Sequence, residues 1–345
     1  MDEINYNGIA IDPRTEKEKS FDFDHKELAF GDVKVEWKEK TIDECKQYKL
    51  RNQDGSLSCV AHAVAKMLGI HEVTEGREYT DLSPSPIYLH RYNYPSGGMW
   101  LPDALGLACK IGACKSDLMP CDMKGEAYMN DKSKLTDEAL ADAQNYKGKG
   151  FVEIKDKSID EIAKVLALGY PVLFGFTFDA DEYGEVPKVK KNSKLNIRHG
   201  VAGVDYLLHK GEKAIYVEDS WTPGTGKGAR RIFTESWIKS NHCFYVGYVI
   251  PLIKEVNTKV QYVYEWFDIM QFNGKNNDID DVKALQKCLQ SIGLFPKNAK
   301  VDGKYGPVTR KAVYDFQVKY VGTHNKGVQV GPLTLKALNM VFRAK

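Results

Sequence analysis

At Pro171 the hydrophobic pattern of this 345-residue chain changes period. Before it, Val60, Val64, Met67 and Leu68 recur at helical spacing, with Leu68-Gly69 as the expected stop, so Cys59 falls at a helix start. Ser158-Ile159-Asp160-Glu161 forms a capping box, predicting a second helix that runs to Gly169. After Pro171 the apolar runs at 172 to 178, 201 to 208, 214 to 218, 229 to 233 and 244 to 250 read as strands, separated by Gly, Pro, Asn and Lys clusters. A helical front and a strand-rich back make one α+β unit.

Composition limits the partners. The 49 Lys and Arg nearly balance 47 Asp and Glu, so nucleic acid is not an expected partner. The longest apolar-looking stretch, 244 to 253, is ten residues with a glycine and a proline, and no membrane span is expected. The first 30 residues are rich in charge and read as lacking a secretory signal. Seven cysteines spread over this length suggest mostly free, buried thiols. The gaps between Cys109, Cys114 and Cys121, even with His90 nearby, do not suit a zinc knuckle, so neither metal nor cofactor is expected.

The expected organisation is an N-terminal extension at 1–34, a main domain at 35–253, an aromatic linker at 254–275 packed on a domain surface, and a small helical domain at 276–345. Charge marks the last boundary: 12 Lys and Arg stand against 5 Asp beyond residue 275, net +7, leaving the rest at net −5. Three helices are legible there, with Val282, Leu285, Leu289 and Ile292 on the first, Val313, Phe316 and Tyr320 after Pro307, and Leu335, Leu338 and Phe342 after Pro332. The lead-ins to Pro307 and Pro332 duplicate each other. Val282-Lys283-Ala284-Leu285-Gln286, Val301-Asp302-Gly303, Gly306-Pro307-Val308-Thr309, Phe316-Gln317 and Gly331-Pro332-Leu333-Thr334 resemble the three-helix peptidoglycan-binding domain of cell-wall hydrolases. That resemblance implies wall binding, although Asp302 and the Gly-Pro turns serve equally well to shape the bundle.

A nucleophilic thiol needs a base and oxyanion donors, and a helix N-terminus favours an anionic sulfur. Cys59 has the helix start, and Gln53, six residues earlier, offers a side-chain amide to an oxyanion. His199 enters the small-residue strand Gly200-Val201-Ala202-Gly203-Val204, and Asp219-Ser220-Trp221 follows twenty residues on, ahead of a glycine-rich turn at 224–228. Asp219 is placed to orient His199, and Trp221 to shield that bond. His62, on the helix with Cys59, reads as structural.

The order Gln, Cys, His, Asp-Ser-Trp resembles the papain-like cysteine peptidases over about 35 to 250. Val35-Glu36-Trp37 is similar to that family's mature N-terminus, Leu82-Ser83-Pro84 to a helix lead-in, and Gly97-Gly98 to the glycine pair whose backbone binds substrate. The resemblance implies a two-lobed α+β fold, with a helical lobe carrying the catalytic helix and an antiparallel β lobe, plus the small C-terminal domain. It implies Cys59, His199, Asp219 and Gln53 as catalytic, and Gly97, Gly98 and Trp221 as substrate-binding. Two departures stand out: Ser56 replaces the cysteine before the nucleophile, with Val60 after it, and Asp219 replaces asparagine. An acid there favours imidazolium.

The expected function is a cysteine endopeptidase, made in the cytoplasm and acting at the bacterial wall as a phage or bacterial lysin on peptidoglycan peptides. A wall-anchored protease cutting proteins uses the same chemistry. A non-catalytic wall-binding protein with a peptidase-like fold is the reading from another class.

Overall fold

The computed structural model describes residues 7–14, 33–221, 229–251, 270–321 and 324–342. Those before 252 form one compact unit and those from 270 on a second.

The first unit is built around helix α1 (Cys59–Thr74), in which every residue from Cys59 to Glu72 is buried. A helix buried on all sides belongs in the middle of a domain, and its one lysine, Lys66, is paired there with Glu218 at 2.5 Å. It runs past the stop expected at Leu68-Gly69, because Gly69 serves a close approach instead: a Cβ there would collide with the Thr80 carbonyl oxygen. Against α1 pack α2 (Ser85–Leu89) and α3 (Leu101–Lys110), while α4 (Glu126–Met129) and α5 (Asp137–Ala143) pack on α2. No disulfide forms among the seven cysteines, and Cys121 Sγ accepts a hydrogen bond from Arg51 Nη1 at 2.8 Å.

The other half is a six-stranded antiparallel sheet of β1 (Gly148–Glu153), β2 (Val172–Phe178), β3 (Ile197–His209), β4 (Glu212–Glu218), β5 (Arg230–Thr234) and β6 (Cys243–Pro251), in the order β1-β6-β2-β3-β4-β5. Between β1 and β2, α6 (Ile159–Ala167) is capped by Ser158 Oγ accepting from the Glu161 amide, and Gly169 follows at φ +85°. Helix α7 (Glu235–Lys239) joins β5 to β6. Strand β1 has no counterpart in the sequence reading, since its Gly148-Lys149-Gly150 opening reads as a turn. Gly200 brings β3 onto α1: a Cβ there would lie 2.9 Å from Val60 Cγ2. That contact sets the spacing between helix and sheet at the positions of Cys59 and His199.

The second unit holds α8 (Ile279–Ser291), α9 (Pro307–Phe316) continuing as a π-helical turn over Gln317–Val321, and α10 (Pro332–Phe342). Val282, Leu285, Leu289, Phe316 and Leu338 meet in its core. A short ribbon of β7 (Met270–Gln271) and β8 (Gln329–Val330) adds residues that sequence places in the linker, so this unit reaches back before the charge change at 276. The rest of the linker up to 269, the 224–228 turn and most of 1–34 lie outside the described residues.

The lead-in duplication is structural. Gln286, buried, donates from Nε2 to Asp302 Oδ1 and Thr309 Oγ1, both at 2.9 Å, and its Oε1 accepts from the Gly303 amide at 2.9 Å. Gln317, also buried, donates to Thr334 Oγ1 at 3.0 Å and accepts from the Gly327 amide at 3.2 Å. Gly303 and Gly327 sit at φ +74° and +68°, where a side chain is strained.

Candidate active site

Cys59 is the first residue of α1 and fully buried. The turn before it is held by the Leu57 amide donating to Glu126 Oε2 at 2.7 Å. Glu126 Oε1 accepts from Tyr88 Oη at 2.7 Å, and Tyr88 Oη in turn accepts from the Gly98 amide at 3.1 Å. One carboxylate thus ties the Cys59 turn to the Gly97-Gly98 segment. Neither Glu126 nor Tyr88 stands out in the sequence, because their importance lies in long-range pairing.

His199 faces α1 from β3, opposite Phe176 in register with β2. Its Nε2 meets Asp219 Oδ1 at 2.6 Å, with both side chains fully buried. The imidazole is boxed by aromatic rings: Trp221 stacks on it with centroids 4.0 Å apart, and Phe176 and Tyr183 present edge contacts at 5.8 and 5.9 Å. Trp221 therefore covers the His199–Asp219 pair. Nε2 is engaged, so Nδ1 is the ring nitrogen left for Cys59, whose sulfur acts on the ring. Burial alone would lower the His199 pKa, but the Asp219 carboxylate and the Cys59 sulfur outweigh it and raise the value to about 9. Burial likewise opposes ionisation of Asp219, yet His199, Arg231 and Tyr183 hold it well below the usual carboxylate range.

Gln53 is buried beside this group. Its Oε1 accepts from Ser220 Oγ at 2.7 Å, its backbone amide donates to Ser220 O at 2.9 Å, and Nε2 donates to Ser56 O at 2.5 Å. One of the two Nε2 hydrogens is therefore engaged within the loop. Ser56, at the position of the missing cysteine, bonds Ser58 Oγ at 2.6 Å. His62 points away: Nδ1 contacts Ser58 O at 3.1 Å, and burial depresses its pKa to about 4.

The thiol does not face open solvent. The described part of the N-terminal segment runs directly over it, and a Cβ at Gly8 would collide with Cys59 Sγ. The segment pairs in parallel sense with the glycine pair's neighbour: the Met99 amide donates to Gly8 O and the Ala10 amide to Met99 O, both at 3.1 Å. On its other side Asn7 bridges Arg198. Gly98, at φ +72°, would place a Cβ 2.8 Å from Asn7 O, whereas Gly97 would meet Leu57. Only Gly98 of the two thus lies against the bound segment. Beside it a cavity of about 670 Å³ opens between Ile9, Asp12 and Arg14 on one side and Trp100, Arg198 and Tyr245 on the other.

Residues 279–338 match the family model described as a "peptidoglycan binding domain". The first unit has the papain-like fold. It is similar to xylellain, a cysteine protease from Xylella fastidiosa, at 19% identity and TM-score 0.57, covering 71% of this chain and 96% of that one. It is also similar to the proform of the ragweed pollen cysteine protease Amb a 11 (18%, TM-score 0.55, 74% and 78% covered) and to procathepsin L2 from Tenebrio molitor larval midgut (17%, 0.51, 72% and 76%). No curated protein sequence matches the chain.

Proposed function

We propose that this chain is a cysteine endopeptidase directed to bacterial cell walls. The reading rests above all on one arrangement: a thiol at the N-terminus of a buried helix, facing an imidazole whose far nitrogen is held by a buried carboxylate at 2.6 Å. In the proposed reaction the Cys59 thiolate attacks an amide carbonyl. The Cys59 backbone amide and the remaining Gln53 Nε2 hydrogen stabilise the oxyanion, and protonated His199 gives its Nδ1 proton to the leaving amine. His199 then takes a proton from water, which hydrolyses the thioester and restores the thiol. The segment over Cys59 must move aside before a substrate carbonyl reaches the sulfur.

The match at 279–338 supports delivery to peptidoglycan, and the +7 charge beyond 275 suits anionic wall polymers. The favoured substrate is the peptide part of peptidoglycan, cut by a phage or bacterial lysin; a surface protein near the wall is the second. Mass spectrometry of products from purified peptidoglycan and from a denatured protein, incubated in parallel, separates them. Cys59→Ala must abolish every product while leaving wall binding intact. Products that persist in this variant would remove Cys59 from the reaction.

A further inference from the structure

Asp219 follows β4 directly and is 1% exposed, and all of its acceptor capacity is in use. Oδ1 receives His199 Nε2 and the Trp221 amide, the latter at 3.0 Å. Oδ2 receives Tyr183 Oη at 2.7 Å and Arg231 Nε at 3.1 Å. Four donors match the roughly four lone-pair sites of a carboxylate. Arg231 projects from β5, opposite Val217 in register, and is 4% exposed. Its guanidinium lies over the Tyr183 ring at 3.8 Å, and Nη1 donates to Gly184 O at 3.0 Å. Tyr183 stacks on Phe178 at 4.4 Å, which fixes its hydroxyl in place.

Resting on the peptidase reading above, we infer that Tyr183 and Arg231 are positioning residues for the reaction: they clamp Asp219 Oδ2 so that Oδ1 is presented to His199, and Arg231 supplies the counter-charge that makes an aspartate the fitting third member. With Cys59 as thiolate and His199 protonated, the buried group of Cys59, His199, Asp219 and Arg231 is neutral. An asparagine in place of Asp219 would leave Arg231 as a buried cation without its anion, one residue away from an imidazolium. The departure from asparagine is thereby tied to a second residue on a different strand. The groups facing the imidazole are Cys59 from α1, Asp219 and Trp221 after β4, Tyr183 from the β2–β3 loop and Phe176 from β2, so Arg231 acts on it only through Asp219 and Tyr183.

The test follows His199 in the full chain by imidazole NMR against pH, its signal assigned by loss in His199→Gln, alongside kcat and KM on a peptide substrate. Asp219→Asn should lower the His199 pKa by more than one unit and kcat at least thirtyfold. Adding Arg231→Met should recover most of both losses, because it removes the orphaned cation. Arg231→Met alone should raise the pKa and lower kcat, whereas Arg231→Lys should stay near wild type. Tyr183→Phe should lower kcat several-fold with KM unchanged. If Arg231 merely braces the loop, its loss adds to that of Asp219→Asn, and a double variant as poor as or worse than Asp219→Asn overturns the proposal. Should Asp219→Asn fail to fold, folding of the double variant gives the same supporting result. If the double variant also fails to fold, Arg231→Lys decides, and a His199 pKa far from wild type overturns the proposal. The pKa ordering does not depend on turnover. Its failure beside an intact Cys59-dependent cleavage removes only the positioning role, and absent cleavage with the ordering intact removes only the peptidase.

Discussion

Burial and charge act in opposite directions on His199. Its pKa of about 9 lies above the 6.5 of an unperturbed imidazole, so the pairing stabilises the folded chain fully below pH 6.5 and is lost as pH rises through 9. The alkaline limb of kcat/KM should accordingly fall near pH 9, and global stability should decline over the same interval; a limb near 6.5 would show that the ring is not held as an imidazolium. Cys59, His199 and Asp219 are legible as residue types in order along the chain, since helix starts and strand starts leave local marks. Tyr183, Arg231, Glu126 and Tyr88 are not, because each acts through a partner 12 to 69 residues away with no local mark of the pairing. Gly97 shows the same limit from the other side. As a sequence pair it equals Gly98, yet only Gly98 abuts the segment lying in the cleft.

The elements that follow strong local rules are those the sequence reveals best. Strand β2 occupies the expected run, and Pro307 and Pro332 open helices where the fixed φ of proline suits a first turn. Errors arise where glycine serves packing rather than termination, as at Gly69, or where glycines open a strand, as in β1. Asp302, Thr309 and Thr334 are bundle-shaping residues wired to two buried glutamines, whatever else the domain does. Gln286→Ala orphans the Gly303 amide and takes one donor from the Thr309 hydroxyl, which keeps its bond to Lys304 O, and Gln317→Ala orphans the Gly327 amide and takes the donor from the Thr334 hydroxyl. Each should cost about 2–4 kcal/mol in denaturant unfolding of the second unit. A cost below about 0.5 kcal/mol for both would show that neither buried amide organises its turn.

At the scale of the whole molecule there are two compact units. Residues 270–345 have their own core, so expressed alone they should fold and co-sediment with bacterial walls. Binding driven by the net +8 of this fragment, +7 of it beyond residue 275, should weaken with salt, since the Debye length is only about 10 Å at 0.1 M. Equal sedimentation with an inert polysaccharide would remove the support for wall delivery. In the first unit Gly8→Val drives a side chain into Cys59 Sγ, and displacing the segment by about 1.4 kcal/mol corresponds to tenfold exposure of the thiol. Alkylation of Cys59 by iodoacetamide, read by mass spectrometry, should rise at least that much; an unchanged rate would mean the segment does not gate access. Because occupant and cleft belong to one chain, this competition ignores dosage. Dilution leaves the segment's local concentration where it was, of order millimolar for a short tether. A free peptide at micromolar concentration must therefore bind about a thousandfold more tightly to take its place, whereas any surface that holds many peptide strands at millimolar local density would compete on equal terms.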